Sequence, residues 1–360
     1  MYKKLGILLL VSVLVLAVAV PVLAIQKAPG PVEPPPFQVE EGKYKFGVAL
    51  GWVGESQFGK RARDGYRYSI EEYWGQDLLE ACAFFKPEKH VEIFGTFIKS
   101  KVDAIFATPV DTVSLVEPAL EAWRAGIPVF TSDSYIFDAH LVSSVYSDNF
   151  RIGSAGAEYV HERLPDGGNV VVMAIVSNEM WGIRDEGFRF GIKEFPNLNI
   201  VFDKAVDMIM GETYVSAMEN ALSANPQKGS IDCVWCLADT QAAECFQAAL
   251  GAGRAGEMFF TGCDGDNYAI DLIRASDGVT GVNMSQGQSP FGMAFHVVNN
   301  AMAHFETSQQ IPRAIISPTW MITKDNIPPA IVKEISISED AYGYDEPWYN
   351  GVYGNLKNRI

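Results

Sequence analysis

The chain is short of positive charge. Its 360 residues carry 28 Lys and Arg against 44 Asp and Glu, a net charge of −16, and without Lys3 and Lys4 near the start the remainder is near −18. Such a surface repels phosphate backbones and anionic lipid, so nucleic acid is not an expected partner. Metal-ligating patterns are also missing. His90, His140, His296 and His304 show no short metal spacing, and His161-Glu162 lacks the second histidine of a metalloprotease helix. Five cysteines (Cys82, Cys233, Cys236, Cys245, Cys263) cannot all pair with one another. Cys233-Val-Trp-Cys236 has the spacing of half a zinc site, but no second pair follows it. It also lies in the apolar run Ile231 to Leu237, a strand by pattern, where residues three apart face opposite ways. Buried free thiols are the expectation, with one disulfide left open.

Catalytic signatures are absent in the same way. There is no G-x-S-x-G elbow and no Walker-type phosphate loop. Gly251-Ala-Gly253-Arg-Ala-Gly256 spells a dinucleotide fingerprint, yet it ends a helical stretch and precedes a strand, the reverse of the required context. Asp264-Gly-Asp266-Asn267 starts like a calcium loop, but the twelfth position is Ala275 where a glutamate is needed. No catalytic residue, metal or cofactor is expected, and the chain does not read as an enzyme.

What is present is a core and a rhythm. Hydrophobic residues make up 48% and charged residues 20%, and the length suffices for two domains at roughly 100–200 residues each. Residues 1–24 have the three zones of an export signal: Lys3 and Lys4, the apolar run from Leu5, and small residues at Val22-Leu23-Ala24. The competing reading is an uncleaved anchor, since Leu5 to Leu23 is long enough to span a bilayer. Either places the body outside the cytoplasm, and no cysteine follows the run to carry a lipid. Residues 25–44, with Pro29, Pro31, Pro34, Pro35 and Pro36, read as a stiff solvated linker.

From Tyr44 onward, strand-like apolar runs alternate with amphipathic helical stretches. The strands are expected at 44–51, 78–85, 102–108, 127–132 and 142–146, then at 169–176, 200–206, 231–237, 258–262 and 280–284. Helices are expected near 59–74, 87–100, 113–125 and 148–163, then near 183–195, 212–224, 240–252, 266–275 and 288–306. Alternation of this kind with nearly continuous apolar strands predicts an α/β fold: two doubly wound, parallel-sheet lobes covered on both faces. Ligands gather at the carboxyl ends of such strands, so the polar residues just beyond each one carry the functional expectation.

Those residues are Trp52 to Phe58, Thr108 and Asp111, Asp133 and Ser134, Ser147 to Asn149, Ser177 to Arg184, Asp239, Asp264 to Asn267, and Ser285 to Gln288. The signals among and beside them are Ala125-Gly-Ile-Pro-Val-Phe-Thr-Ser-Asp133, Ser147-Asp148-Asn149, Arg184-Asp-Glu-Gly-Phe188, Thr261-Gly-Cys-Asp264-Gly265 and Gln286. In that order the chain, over about residues 45–325, resembles the periplasmic sugar-binding proteins of the ribose-binding type, which serve ATP-binding-cassette (ABC) importers. Repressors of the same fold carry an N-terminal helix-turn-helix, where this chain has a signal and a proline tether.

The resemblance implies a type I periplasmic-binding fold with a multi-strand hinge. It assigns 45–147 plus about 287–318 to an N-terminal lobe, 148–286 plus about 319–335 to a C-terminal lobe, and leaves 336–360 as an extension. It implies a ligand site of Trp52, Gln57, Phe58, Asp133, Trp181, Arg184, Asp264 and Gln286. Aspartates accept hydrogen bonds from sugar hydroxyls, arginine donates to oxygens, and indole faces meet ring C–H edges. Ala238 stands where the family has an amide and Ser134 where it often has an arginine, which implies a ligand other than ribose. Asp239 and Asp148 read as helix caps, Trp235 as core, and Ser147 and Asn149 as hinge residues. The implied partners are a small-molecule ligand, a monosaccharide or similar polyol, and the membrane permease subunits of an ABC importer, served by a monomer. A sensory receptor of the same fold for a signalling molecule, and a nucleoside-binding protein using Trp52 and Trp181, are the alternatives.

Overall fold

The structure is a computed structural model, and it describes residues 43–327 apart from 53–56, 176–178, 208–209 and 308–309. The expected signal (1–24), nearly all of the linker (25–44) and the 336–360 extension lie outside the described residues, which all fall in one compact unit.

Two six-stranded sheets organise the chain. The first holds β1 (Lys45–Leu50), β2 (Asp77–Cys82), β3 (Ala104–Thr108), β4 (Val129–Ser132), β5 (Leu141–Ser147) and β11 (Ala314–Ser317), in the order β11-β5-β4-β3-β1-β2, all parallel. The second holds β6 (Gly168–Ile175), β7 (Leu198–Val206), β8 (Cys233–Cys236), β9 (Phe259–Asp264), β10 (Gly281–Gly287) and β12 (Trp320–Thr323), in the order β12-β10-β9-β8-β6-β7. Only β12 runs antiparallel, so the second sheet is not wholly parallel as the pattern predicts. The chain passes between the sheets at 147–149, at 287–290 and at 317–320.

Strand alternation gives each sheet two buried faces. Phe46, Val48 and Leu50 of β1 pack with Phe106 and Phe130 against α1 (Gln57–Arg67) and α9 (Pro290–Glu306). Ala49, Ile105 and Ala107 turn the other way onto α2 (Pro87–Lys99) and α3 (Val116–Arg124). In the second sheet Val170, Val172 and Ala174 face α4 (Asn149–Arg163) and α5 (Glu179–Ile192). Val171 and Met173 face α6 (Tyr214–Ala224), α7 (Asp239–Gly251) and α8 (Asn267–Ala275). At roughly 25 cal/mol per Å² of apolar area removed from water, these four faces supply the main stabilising free energy.

Local chemistry matches the elements. Asp148 caps α4 by accepting from the Arg151 amide at 2.9 Å. The 251–256 glycine cluster ends α7 and leads through a short 3₁₀ turn into β9, with Gly253 at φ +69°. The first helical stretch differs from expectation: α1 passes at Tyr68 into a π-helical segment through Tyr73. His90 is buried, with Nε2 3.2 Å from Ala49 O and Nδ1 3.4 Å from the Val110 amide, so it is a neutral strut between β1 and the loop after β3. Its burial pushes the imidazole down to about 4. None of the five cysteines is in a disulfide, and four are buried. No helix among the described residues is long and apolar enough to cross a membrane.

Candidate functional site

The carboxyl ends of the two sheets supply the polar groups. From the first sheet comes Asp133, immediately after β4. Its amide donates to Val145 O at 2.8 Å, and its φ of +68° is a left-handed conformation that aspartate adopts more readily than most side chains. Burial raises its carboxyl to about 7, against a lowering pull from the Arg184 charge. Behind it, Tyr66 Oη donates to Ser132 Oγ at 2.8 Å, and Thr108 Oγ1 lies 3.3 Å from the same hydroxyl.

From the second sheet come Asp264 and Arg184. Asp264 ends β9 at φ +118°, a strained conformation. Its Oδ1 accepts from Gln288 Nε2 at 2.8 Å and lies 3.9 Å from Arg184 Nη1. Burial lifts this carboxyl to about 7, while Arg184 pulls it down. Arg184 is 2% exposed, and its fork is largely committed to the protein. Nε and Nη2 donate to Asn149 Oδ1 at 3.1 and 2.7 Å, and Nη1 donates to Leu237 O. Two glycines permit that seat. A Cβ on Gly153 would sit 1.9 Å from Arg184 O, and one on Gly187 2.1 Å from Phe150 O, so α4 and α5 approach closely because both positions are bare.

The aromatic residues divide. Trp52 is 6% exposed, with one face stacked on Phe85 at 5.3 Å and 5°, and Phe58 beside it at 6.4 Å. The bare Cα of Gly59 makes room for its indole, since a Cβ there would lie 2.9 Å from Trp52 Cδ1. Phe58 belongs to the core of the first lobe. Trp181 is half-buried and leans on the core that contains Phe188 and Trp235. Trp235 is core as expected, stacked on Phe188 at 4.1 Å.

Gln57 does not stand free beside Trp52. Its Oε1 accepts from the Asn267 amide at 2.6 Å, across to the second lobe. Gln286 lies in β10 at a crossing segment, with Nε2 3.4 Å from Thr319 Oγ1 and Oε1 without a protein partner. Gln288 Oε1 is likewise buried without a protein partner.

Three further residues tie into this arrangement although they stand outside the expected ligand set. Gln288 holds Asp264, though it lies only two residues beyond Gln286. Arg61 is 6% exposed and paired with Asp266 at 2.8 Å, while its charged neighbours Lys60 and Arg63 make the stretch look like a solvated face. Asp239, expected as a cap, is the first residue of α7 behind Ala238. Its Oδ2 instead accepts from the Asp266 amide and Ser285 Oγ, both at 2.8 Å, because a carboxylate at this depth must find donors. Burial raises it well above the ordinary range.

The resulting cleft is rich in acceptors. Gln286 Oε1 and Gln288 Oε1 are buried without a protein partner, Asp264 Oδ1 accepts from Gln288, and Arg184 is mostly engaged. Chemically, acceptors of this kind can be satisfied by neutral hydroxyl donors and not by an anion.

Known proteins bear on this architecture. Residues 46–309 match the Periplasmic binding protein domain family. The chain is 28% identical to the D-apiose import binding protein of Actinobacillus succinogenes over 62% of this chain and 71% of that protein. It is 25% identical to the D-xylose-binding periplasmic protein of Escherichia coli, over 73% and 82%. An ABC transporter periplasmic solute-binding protein from Actinobacillus succinogenes, solved with bound D-allose, superposes with a TM-score of 0.70 at 22% identity, covering 78% of this chain and 98% of that one. With two six-stranded α/β lobes, three crossings between them and a family match over most of its length, the chain belongs to the periplasmic binding protein family, whose members bind solutes and are not enzymes.

Proposed function

We propose that the protein captures a monosaccharide or similar polyol between its lobes, outside the cytoplasm, and delivers it to the permease subunits of an ABC importer. The observation that carries the reading is the pair Asp133 and Asp264, one at the carboxyl end of each sheet, Asp133 half-buried and Asp264 buried, with Arg184 Nη1 3.9 Å from Asp264 and its charge also acting on Asp133. Carboxylates in that state gain most from neutral hydroxyl donors, which supply hydrogen bonds without adding charge. The relatives named for D-apiose import and D-xylose binding support the same ligand class. Against a nucleoside clamped between Trp52 and Trp181, Trp52 is nearly buried and already has Phe85 on one face. Ligand contact would favour the closed arrangement of lobes by its differential affinity for it.

Calorimetry against D-xylose, D-allose, D-apiose, xylitol and myo-inositol tests this. At least one should bind, and Asp133→Asn and Asp264→Asn should each weaken it about tenfold or more, the size of one lost hydrogen bond to a charged group. Undiminished binding by both variants would remove the site assignment. No binding by any of the panel would remove the ligand class.

A further inference from the structure

The lobes touch each other directly, most closely at one loop. Residues Asp264, Gly265, Asp266 and Asn267, between β9 and α8, receive two side chains of α1. Arg61 Nη2 donates to Asp266 Oδ1 at 2.8 Å and to Asp264 O at 3.0 Å, and Nη1 donates to Gly265 O at 3.4 Å. One turn earlier, Gln57 Oε1 accepts from the Asn267 amide. The ion pair is dry, with side chains 7% and 2% exposed. The loop is anchored to its own lobe too: Asp239 holds the Asp266 amide, and Ser285 Oγ accepts from the Gly265 amide at 3.0 Å. On the opposite face of the first sheet, in the loop before α3, the Thr112 amide donates to Glu179 Oε2 of α5 at 3.2 Å, a second and longer link between the lobes.

Each Arg61 contact joins elements of different lobes, so separating the lobes breaks all three and returns both charges to water. The acceptors also include the carbonyl of Asp264, whose strained backbone orients the carboxylate of the cleft. Closing the lobes and setting that carboxylate are therefore one event. We infer that Arg61 is a positioning residue: by clasping Asp266 and the 264–265 main chain it biases the free protein toward the closed state and presets Asp264 for ligand. The consequence for affinity rests on the binding reading above, since the fraction of protein in the competent state scales the apparent affinity. The clasp itself does not depend on that reading.

Small-angle X-ray scattering of the unliganded full-length protein tests it without any ligand. Arg61→Ala and, separately, the volume-preserving Asp266→Asn should each expand the particle, raising the open-to-closed ratio roughly ten- to hundredfold, as loss of a charged hydrogen bond predicts. The double variant should expand no further than either single one, while unfolding stays cooperative. Scattering curves of both variants superimposable on the wild type, or additive expansion in the double variant, would overturn the inference. A panel in which no sugar binds, with the expansion still seen, would sink the ligand reading and leave the clasp intact.

Discussion

The two walls of the cleft carry the same chemical group in opposite states of preparation. Asp264, on the second lobe, is held by Gln288, faced by Arg184 and gripped through its carbonyl by Arg61. Asp133, on the first, has Ser134 beside it and only the more distant charge of Arg184 for balance. Both carboxyls are nevertheless raised to about 7, because burial dominates each. In the proposed site, one wall is then built before ligand arrives and the other keeps its hydrogen-bonding capacity in hand. In a protein that closes around its ligand, the prepared wall fixes orientation and the bare one gains most from contact.

The largest break in that comparison should come from Arg184→Ala. It would strip the counter-charge from Asp264 and leave Asn149 Oδ1 and Leu237 O without their donor. Removing one partner of a buried charge network costs about 3–5 kcal/mol, and urea unfolding of the unliganded variant should read a loss of that size together with loss of ligand binding. Gly153→Ala attacks the same wall from beneath. Its methyl would meet Arg184 O, forcing α4 from α5, with an expected cost of about 1–3 kcal/mol and weaker ligand binding although the residue is not at the cleft. Unchanged affinity in that variant would show that the helix pairing does not seat Arg184.

The two walls should also separate by pH. A carboxyl at about 7 in the folded protein and 3.8 when unfolded leaves the native state holding protons that the unfolded chain has released. Stability from that difference is fully present below 3.8 and is lost as pH rises through 7, so the unliganded protein should be less stable at pH 8 than at pH 5. The raised Asp239 and Asp266 add to the slope with the same sign. Asp133→Asn should raise Tm at pH 8 by a few degrees and flatten the slope. Asp264→Asn should flatten it with less gain, since it also disturbs the Gln288 and Arg184 contacts. Thermal melts at the two pH values decide the order; equal gains would mean that the walls are equally prepared.

Legibility in the sequence follows the same division. The first ten strands are readable because apolar runs end in polar residues at regular spacing. β11 and β12 are not: each is four residues long, at a sheet edge, and half-exposed by pattern. Asp133 and Asp264 could be found because they follow strands. Gln288 could not be ranked above Gln286, for the choice depends on which amide reaches Asp264. Arg61 was invisible for a deeper reason. One-dimensional pattern marks it as one basic residue among three, and only the approach of the second lobe buries it. Groups that serve one lobe leave a local signal; groups that join two lobes leave almost none.

Gln57 tests that statement at its weakest point, where the expected effect is smallest. The resemblance implies it as a ligand residue, and its carbonyl accepts from the Asn267 amide. If its role is to join the lobes, Gln57→Ala removes one neutral hydrogen bond worth about 0.5–1.5 kcal/mol and should weaken every ligand of the protein by a similar factor, up to about tenfold. If it contacts ligand through its remaining amide hydrogens, the loss should instead differ between sugars that do and do not place an oxygen there. Affinities of the variant for two stereoisomeric sugars, each compared with wild type, separate the two: a common factor marks a link between lobes, and a change in their ratio marks a contact with ligand.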